Sequence, residues 1–185
     1  MKHIPNILSG LRLGMVGVFI YFFRQDDYLA ALIIYAAAFF TDILDGYLAR
    51  RNGWISDLGK ILDPLADKLM LLCALTSFHL KGWLPLFIPL VAAIKELAML
   101  IGGLFMLGKK NVVVVSDWWG KFAAGFFNMS VILTLLSNFP PFLPLAKITL
   151  PLFCLAIAFG FIAAIHYYGT QVMGRAKAEP GEPQP

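Results

Sequence analysis

The stretch Asp42-Ile43-Leu44-Asp45-Gly46-Tyr47-Leu48-Ala49-Arg50, followed by Gly59, Asp63 and Asp67, decides how this chain is read. Asp42 and Asp45 lie three apart near the end of one apolar run, and Asp63 and Asp67 lie four apart near the start of the next. Residues at those spacings share a helix face. A charge within a membrane-spanning helix costs at least about 2.5 to 3.5 kcal/mol, so four acids on two consecutive helices need a common purpose. The short connector through Arg51-Asn52-Gly53 predicts antiparallel neighbours whose carboxylates converge. Convergent carboxylates repel one another unless cations neutralise them. The donors are all oxygen, with no histidine or thiolate nearby, which favours Mg2+ or Mn2+ over zinc, and two ions balance four charges. Helix-end salt bridges to Arg50, Lys60 or Lys68 are the simpler alternative, but they would not call for two same-face acid pairs on adjacent spans.

The surrounding composition sets the solvent. Of 185 residues, 59% are hydrophobic and 14% charged, against roughly a quarter charged in soluble chains. The mean hydropathy is +0.77. These values exclude a secreted, disordered or water-soluble enzyme and point to a lipid bilayer. Crossing about 30 Å of hydrocarbon at 1.5 Å per residue takes roughly 20 apolar residues. That ruler predicts an all-α integral membrane protein with six transmembrane helices at 7–23, 28–49, 61–80, 84–107, 118–136 and 142–168. The polar breaks between them include Arg24 to Asp27, Lys81-Gly82, Gly108 to Asn111 and Asn138 to Pro141. Residues 112–115 read as an extended interfacial loop. One membrane domain covers 1–174, and the Pro- and Glu-containing tail 175–185 is expected to be disordered. Asn6 and Arg12 interrupt the first span and no small-residue cleavage site follows Phe23, so the span reads as retained.

Charge orients the spans. Lys2, Arg50, Arg51, Lys60, Lys109, Lys110, Lys121, Arg175 and Lys177 fall on one side, against Arg24, Lys81 and Lys147 on the other. Both termini and the acidic cluster are therefore expected to be cytoplasmic. The net charge of +4 is spread between apolar spans rather than gathered in a stripe, which suits an anionic membrane surface and not nucleic acid. Cys73 and Cys154, both inside apolar runs, read as small buried hydrophobes. Trp118, Trp119 and His166 beside Tyr167 and Tyr168 read as interfacial residues.

The acidic segment resembles the signature of the CDP-alcohol phosphotransferase family: Asp42, Asp45, Gly46, Ala49, Arg50, Gly59, Asp63 and Asp67 match all eight fixed positions at the expected spacing. Agreement by chance at a given start is on the order of 10⁻⁹ from average residue frequencies. The resemblance implies that Asp42, Asp45, Asp63 and Asp67 bind metal, with Asp67 also the general base. It implies that Gly46, Ala49, Arg50 and Gly59 hold the cytidine diphosphate moiety. The reaction implied is attack of an alcohol on the lipid-side phosphorus of CDP-diacylglycerol, with release of CMP. A homodimer in a bacterial inner membrane is implied by the same resemblance.

The acceptor is read from weaker signals. Ile4-Pro5-Asn6-Ile7-Leu8 with Arg12 looks like the start of phosphatidylglycerophosphate synthases and of bacterial cardiolipin synthases, and Asn6 and Arg12 are candidates to bind the nucleotide lipid's phosphates. Lys95-Glu96 stands mid-span where many phosphatidylglycerophosphate synthases have Arg-Glu, and the two side chains are expected to point in different directions. Gly120-Lys121 resembles that subfamily's Gly-Lys, but Phe122, Ala123, Ala124 and Asn128 replace the polar residues that usually follow. Glycerol 3-phosphate, the expected acceptor, is anionic and calls for cations, for which Lys121, Lys95, Lys109 and Lys110 are candidates. Cardiolipin synthesis is the alternative. A divalent-cation transporter is the rival of another class. Transport would need polar groups across the whole bilayer, whereas the eight steps from Asp42 to Arg50 keep the acids within about 12 Å of one face.

Overall fold

The computed structural model describes residues 4–52, 59–107, 118–139 and 142–167, with side-chain surroundings over most of these. Among the described residues the chain is all-helical: α1 (Ile4–Arg24), α2 (Tyr28–Asn52), α3 (Gly59–Leu80), α4 (Phe87–Leu107), α5 (Trp118–Leu136) and α6 (Ala146–Tyr167). Each helix falls on one of the six predicted segments. Two starts differ. Leu84 and Pro85 belong to the turn before α4, where proline's missing N–H is harmless. Leu143–Leu145 form a 3-10 turn ahead of α6. Residues 112–115 and the tail lie outside the described residues.

Among the described residues two helices, Trp118–Leu136 and Ala146–His166, are long and apolar enough to cross a membrane, and the apolar part of α2 runs over Tyr28–Ile43. Large apolar side chains stay exposed on several helices, among them Tyr21, Ile33, Phe40, Ile94, Phe122 and Ile165. Outward-facing rows of this kind are what a hydrocarbon solvent tolerates and water does not. Cys154 belongs to that outer face and Cys73 is half-buried, which corrects their expected burial.

Among the described residues α1 lies against both α2 and α3, which also touch each other, and α5 packs along α6. At the end away from the acids, two turns lock the first four helices. Asp26 has φ 60°, and the Asp26 and Asp27 N–H groups donate to the carbonyls of Phe23 and Phe22. Gly82, with φ 75°, ends α3 the same way: its N–H donates to His79 and that of Trp83 to Phe78. In each turn a left-handed residue lets the chain satisfy carbonyls that the helix leaves open. The Trp83 and Phe78 rings meet at 5.6 Å, the apolar contact that accompanies such a cap. The Asp27 carboxylate then caps α2 by accepting from the Ala30 N–H at 3.0 Å.

Candidate active site

Arg12 lies one turn from the core residue Val16 on α1, so the helix that packs on α2 and α3 carries its guanidinium inward. It is only 2% exposed and does not snorkel. Its Nη1 is 2.7 Å from Oδ1 of Asp42, on α2. Arg12 also lines, with Asp67 of α3, a cleft of about 10 Å³ closed by Tyr35, Phe39, Met70 and Asn128. That volume holds about one water. A cation from α1 therefore stands among the acids of α2 and α3. The expectation of a convergent acidic site had no such partner in it.

One wall of the cleft is a buried polar contact. The Tyr35 hydroxyl donates to Oδ1 of Asn128 at 2.8 Å, while the Asn128 amide donates to the Ala124 carbonyl at 2.9 Å. Both Asp67 and Asn128 also face a second cavity, of about 170 Å³, enclosed by α3, α4, α5 and α6. Its polar lining comprises Asp67, Lys68, Lys95, Glu96 and Asn128, and Gly120, Ala123, Ala124 and Gly160 keep it open.

Glu96 organises that cavity. Its carboxylate is buried, with Lys95 Nζ at 2.5 Å and Lys68 Nζ at 3.1 Å. Adjacent residues on a helix diverge at Cβ, which is why Lys95 and Glu96 were expected to point apart. The structure corrects this: the long lysine stem turns back because an unpaired carboxylate among apolar helices costs more than the bend. Lys68, which the sequence offered only as a helix-end counter-charge for the aspartates, serves Glu96 instead. Lys121 is exposed, with Nζ 5.0 Å from the Trp118 ring centroid, and is not brought together with Asp67. Asn6 lies in α1, Asp45, Gly46, Ala49 and Arg50 in α2, and Gly59 and Asp63 in α3, but their side chains lie outside the described residues, as do Lys109 and Lys110 entirely.

Among the described residues no three histidine, cysteine or acidic side chains gather as a metal site. Asp67, which lines the cleft, and Asp42, which Arg12 holds beside it, nevertheless offer the oxygen-only donors that a hard divalent cation takes.

Among the described residues the chain is all-helical, with apolar side chains on its outer faces and acidic and cationic side chains buried inside. The sequence profile described as CDP-alcohol phosphatidyltransferase matches residues 2–165, and the chain belongs to this family. That membership decides against the cation transporter and for a phosphatidyltransferase. The family uses divalent metal ions. The chain is 33% identical over 132 residues to the CDP-diacylglycerol–glycerol-3-phosphate 3-phosphatidyltransferase of Aquifex aeolicus, covering 70% of this chain and 74% of that one. It is 42% identical over 90 residues to the enzyme of the same name from Pseudomonas fluorescens, 45% of this chain and 46% of the relative. It is 38% identical over 104 residues to the CMP-forming cardiolipin synthase of Streptomyces coelicolor, 53% and 48% respectively.

Proposed function

We propose that this chain transfers the phosphatidyl group of CDP-diacylglycerol to glycerol 3-phosphate, forming phosphatidylglycerophosphate and CMP. The observation that carries this reading is the similarity to the Aquifex aeolicus enzyme over about three quarters of its length. The two-lysine cavity that opens beside Asp67 supports a small anionic acceptor.

Six crossings are supported by the lengths of the apolar segments, both termini and the site at the cytoplasmic face by the charge distribution over the loops, and a bacterial inner membrane by the family resemblance. Asp42, Asp45, Asp63 and Asp67 would hold two Mg2+ or Mn2+ ions, whose chemistry is to neutralise the pyrophosphate and polarise its phosphorus. Gly46, Ala49, Arg50 and Gly59 hold the cytidine diphosphate part, and Asn6 contributes from α1. Arg12 steadies Asp42. Asp67, facing both cavities, accepts the proton of the attacking hydroxyl. The acceptor oxygen bonds to the lipid-side phosphorus, the bridging P–O bond breaks, and its electrons leave with CMP. The acceptor approaches through the α3–α6 cavity, with Lys95 on its wall; Lys121, Lys109 and Lys110 act at the surrounding surface. The functional unit is a homodimer.

The cardiolipin synthase reading keeps one specific support, the Streptomyces coelicolor relative. Purified protein given CDP-diacylglycerol and a panel of acceptors decides between them. CMP release with glycerol 3-phosphate is expected, and release with phosphatidylglycerol alone would replace this reading by the other.

A further inference from the structure

We infer that Gly160, on α6, is a positioning residue for the acceptor's anionic group and acts through Lys95. The inference rests on the reading of the α3–α6 cavity as the acceptor site. Lys95 leaves α4 with its side chain 12% exposed, and its stem runs across α6 at Gly160. A Cβ at position 160 would lie 3.0 Å from Cδ of Lys95, 3.4 Å from Cε and 3.7 Å from Nζ. The other described glycines, Gly10, Gly14, Gly17, Gly82, Gly120 and Gly125, face open space. Glycine weakens a helix interior relative to alanine, and at 160 it gains room for the lysine.

That room fixes where the ammonium goes. With the stem seated on α6, Nζ of Lys95 reaches the Glu96 carboxylate and stands 5.4 Å from the Phe127 ring centroid. Glu96 holds Lys68 from the other side, so one buried carboxylate sets two ammonium groups on the cavity wall. Each ammonium has three donors and gives Glu96 only part of them. Lys68 and Lys95 offset the two carboxylates of the lining, Glu96 and Asp67, and the ammonium donors that Glu96 leaves unused face the cavity, where a phosphate monoester can accept them. The cavity, at about 170 Å³, far exceeds the roughly 10 to 15 Å³ that one water needs. A methyl group at 160 would make the stem give by a few tenths of an ångström and tilt this pair without removing either charge.

The test is a mutant cycle on the full-length protein in mixed micelles with CDP-diacylglycerol, read as KM for glycerol 3-phosphate, KM for CDP-diacylglycerol and kcat. Lys95→Ala is expected to raise the acceptor KM about ten- to a hundred-fold, the value of a charged hydrogen bond. Gly160→Ala should raise it about three- to ten-fold while kcat and the other KM stay within about two-fold. In the Lys95→Ala background Gly160→Ala should add nothing, because the residue it disturbs has gone. Equal effects in both backgrounds, an unchanged acceptor KM, or kcat and both KM values moving together would overturn the inference and leave Gly160 as a packing residue. If Gly160→Ala alone yields no folded protein, recovery of folding in the Lys95→Ala/Gly160→Ala pair supports the clash, and failure of both overturns it. Turnover of phosphatidylglycerol in place of glycerol 3-phosphate would overturn the acceptor reading alone. The same cycle run on that lipid would then decide the Gly160–Lys95 coupling.

Discussion

The two ends of the α1–α2–α3 cluster use charge in opposite ways. At one end the ion pair Asp26–Lys81 sits exposed over a packed aromatic group, where Trp83 touches Phe23, Tyr28 and Phe78 at 5.0 to 5.6 Å. At the other end Arg12 is buried against Asp42, and Glu96 is buried between two lysines beside a cavity. The aromatic end gains by excluding water, and its charges can be lost cheaply. The polar end keeps desolvated charges of a kind that well-packed apolar side chains often replace without loss of stability. Groups retained at such a cost belong to the chemistry. Stability and activity should therefore separate along the length of the cluster.

The largest expected effect tests the polar end. Asp67→Asn keeps shape and removes the base, so kcat should fall by about 100- to 10,000-fold. The KM for CDP-diacylglycerol should change far less, and thermal stability in detergent should hold, because a buried carboxylate is exchanged for a neutral amide. A variant with near wild-type kcat would break the comparison at its functional half.

Phe78→Ala tests the other half. Phe78 is fully buried and contacts both Phe23 and Trp83, so its truncation should cost about 3 to 5 kcal/mol. Per folded molecule, kcat/KM should stay within about two-fold. Thermal unfolding followed by CMP release below the transition measures both. If the folded fraction were inactive, the ends would not be independent.

The helices were legible because hydropathy and polar breaks are local properties. Gly82, Asp26 and Asn138 mark turns whichever way the helices later pack. Asp42 and Asp67 could be singled out because spacings of three and four give each a same-face acidic partner on any helix; those partners, Asp45 and Asp63, have side chains outside the described residues. What the sequence could not carry was which helix brings a cation to Asp42 and Asp67. Arg12 is thirty residues before Asp42, and nothing local says that α1 packs against both α2 and α3. The cavity was hidden for the same reason. Gly160 reads as an ordinary glycine of an apolar span until the Lys95 stem is laid across it. Lys68 pointed to a helix-end ion pair, and only the α3–α4 packing shows that Glu96 receives it.

Tyr35→Phe locates the boundary between the two ends. Tyr35 is buried in mid-α2 and donates its hydroxyl to Asn128 between the cavities. Removing that donor should cost about 1 to 2 kcal/mol, because a buried acceptor loses its partner. Replacing Asn128 by leucine in the same chain should recover part of the loss in stability but not in turnover. Equal recovery of both would place the boundary nearer the acids.

The smallest effect belongs to the exposed pair, and it sharpens what the aromatic end depends on. The Lys81 ammonium, and after it the Tyr28 hydroxyl, hydrogen-bonds the Asp26 carboxylate and holds its pKa below the ordinary value. A folded pKa below the unfolded one means a contribution present above the unfolded value of 3.8 and lost as the pH falls through the folded one. Lys81 is shifted up by the same hydrogen bond, so its share is present at neutral pH and lost only above its ordinary value of 10.5. Asp26→Asn is the clean variant, because asparagine tolerates the left-handed backbone at this position while removing the charge. The stability difference from wild type should be small, flat from about pH 5 to about pH 9, diminished by salt, and narrower below the ordinary carboxylate pKa. Asp26→Gly loses the same pair but relieves the positive φ, so it should unfold at a temperature no lower than Asp26→Asn. A loss in Asp26→Asn as large as that in Phe78→Ala would show that the ion pair, and not the aromatic packing beneath it, closes this end.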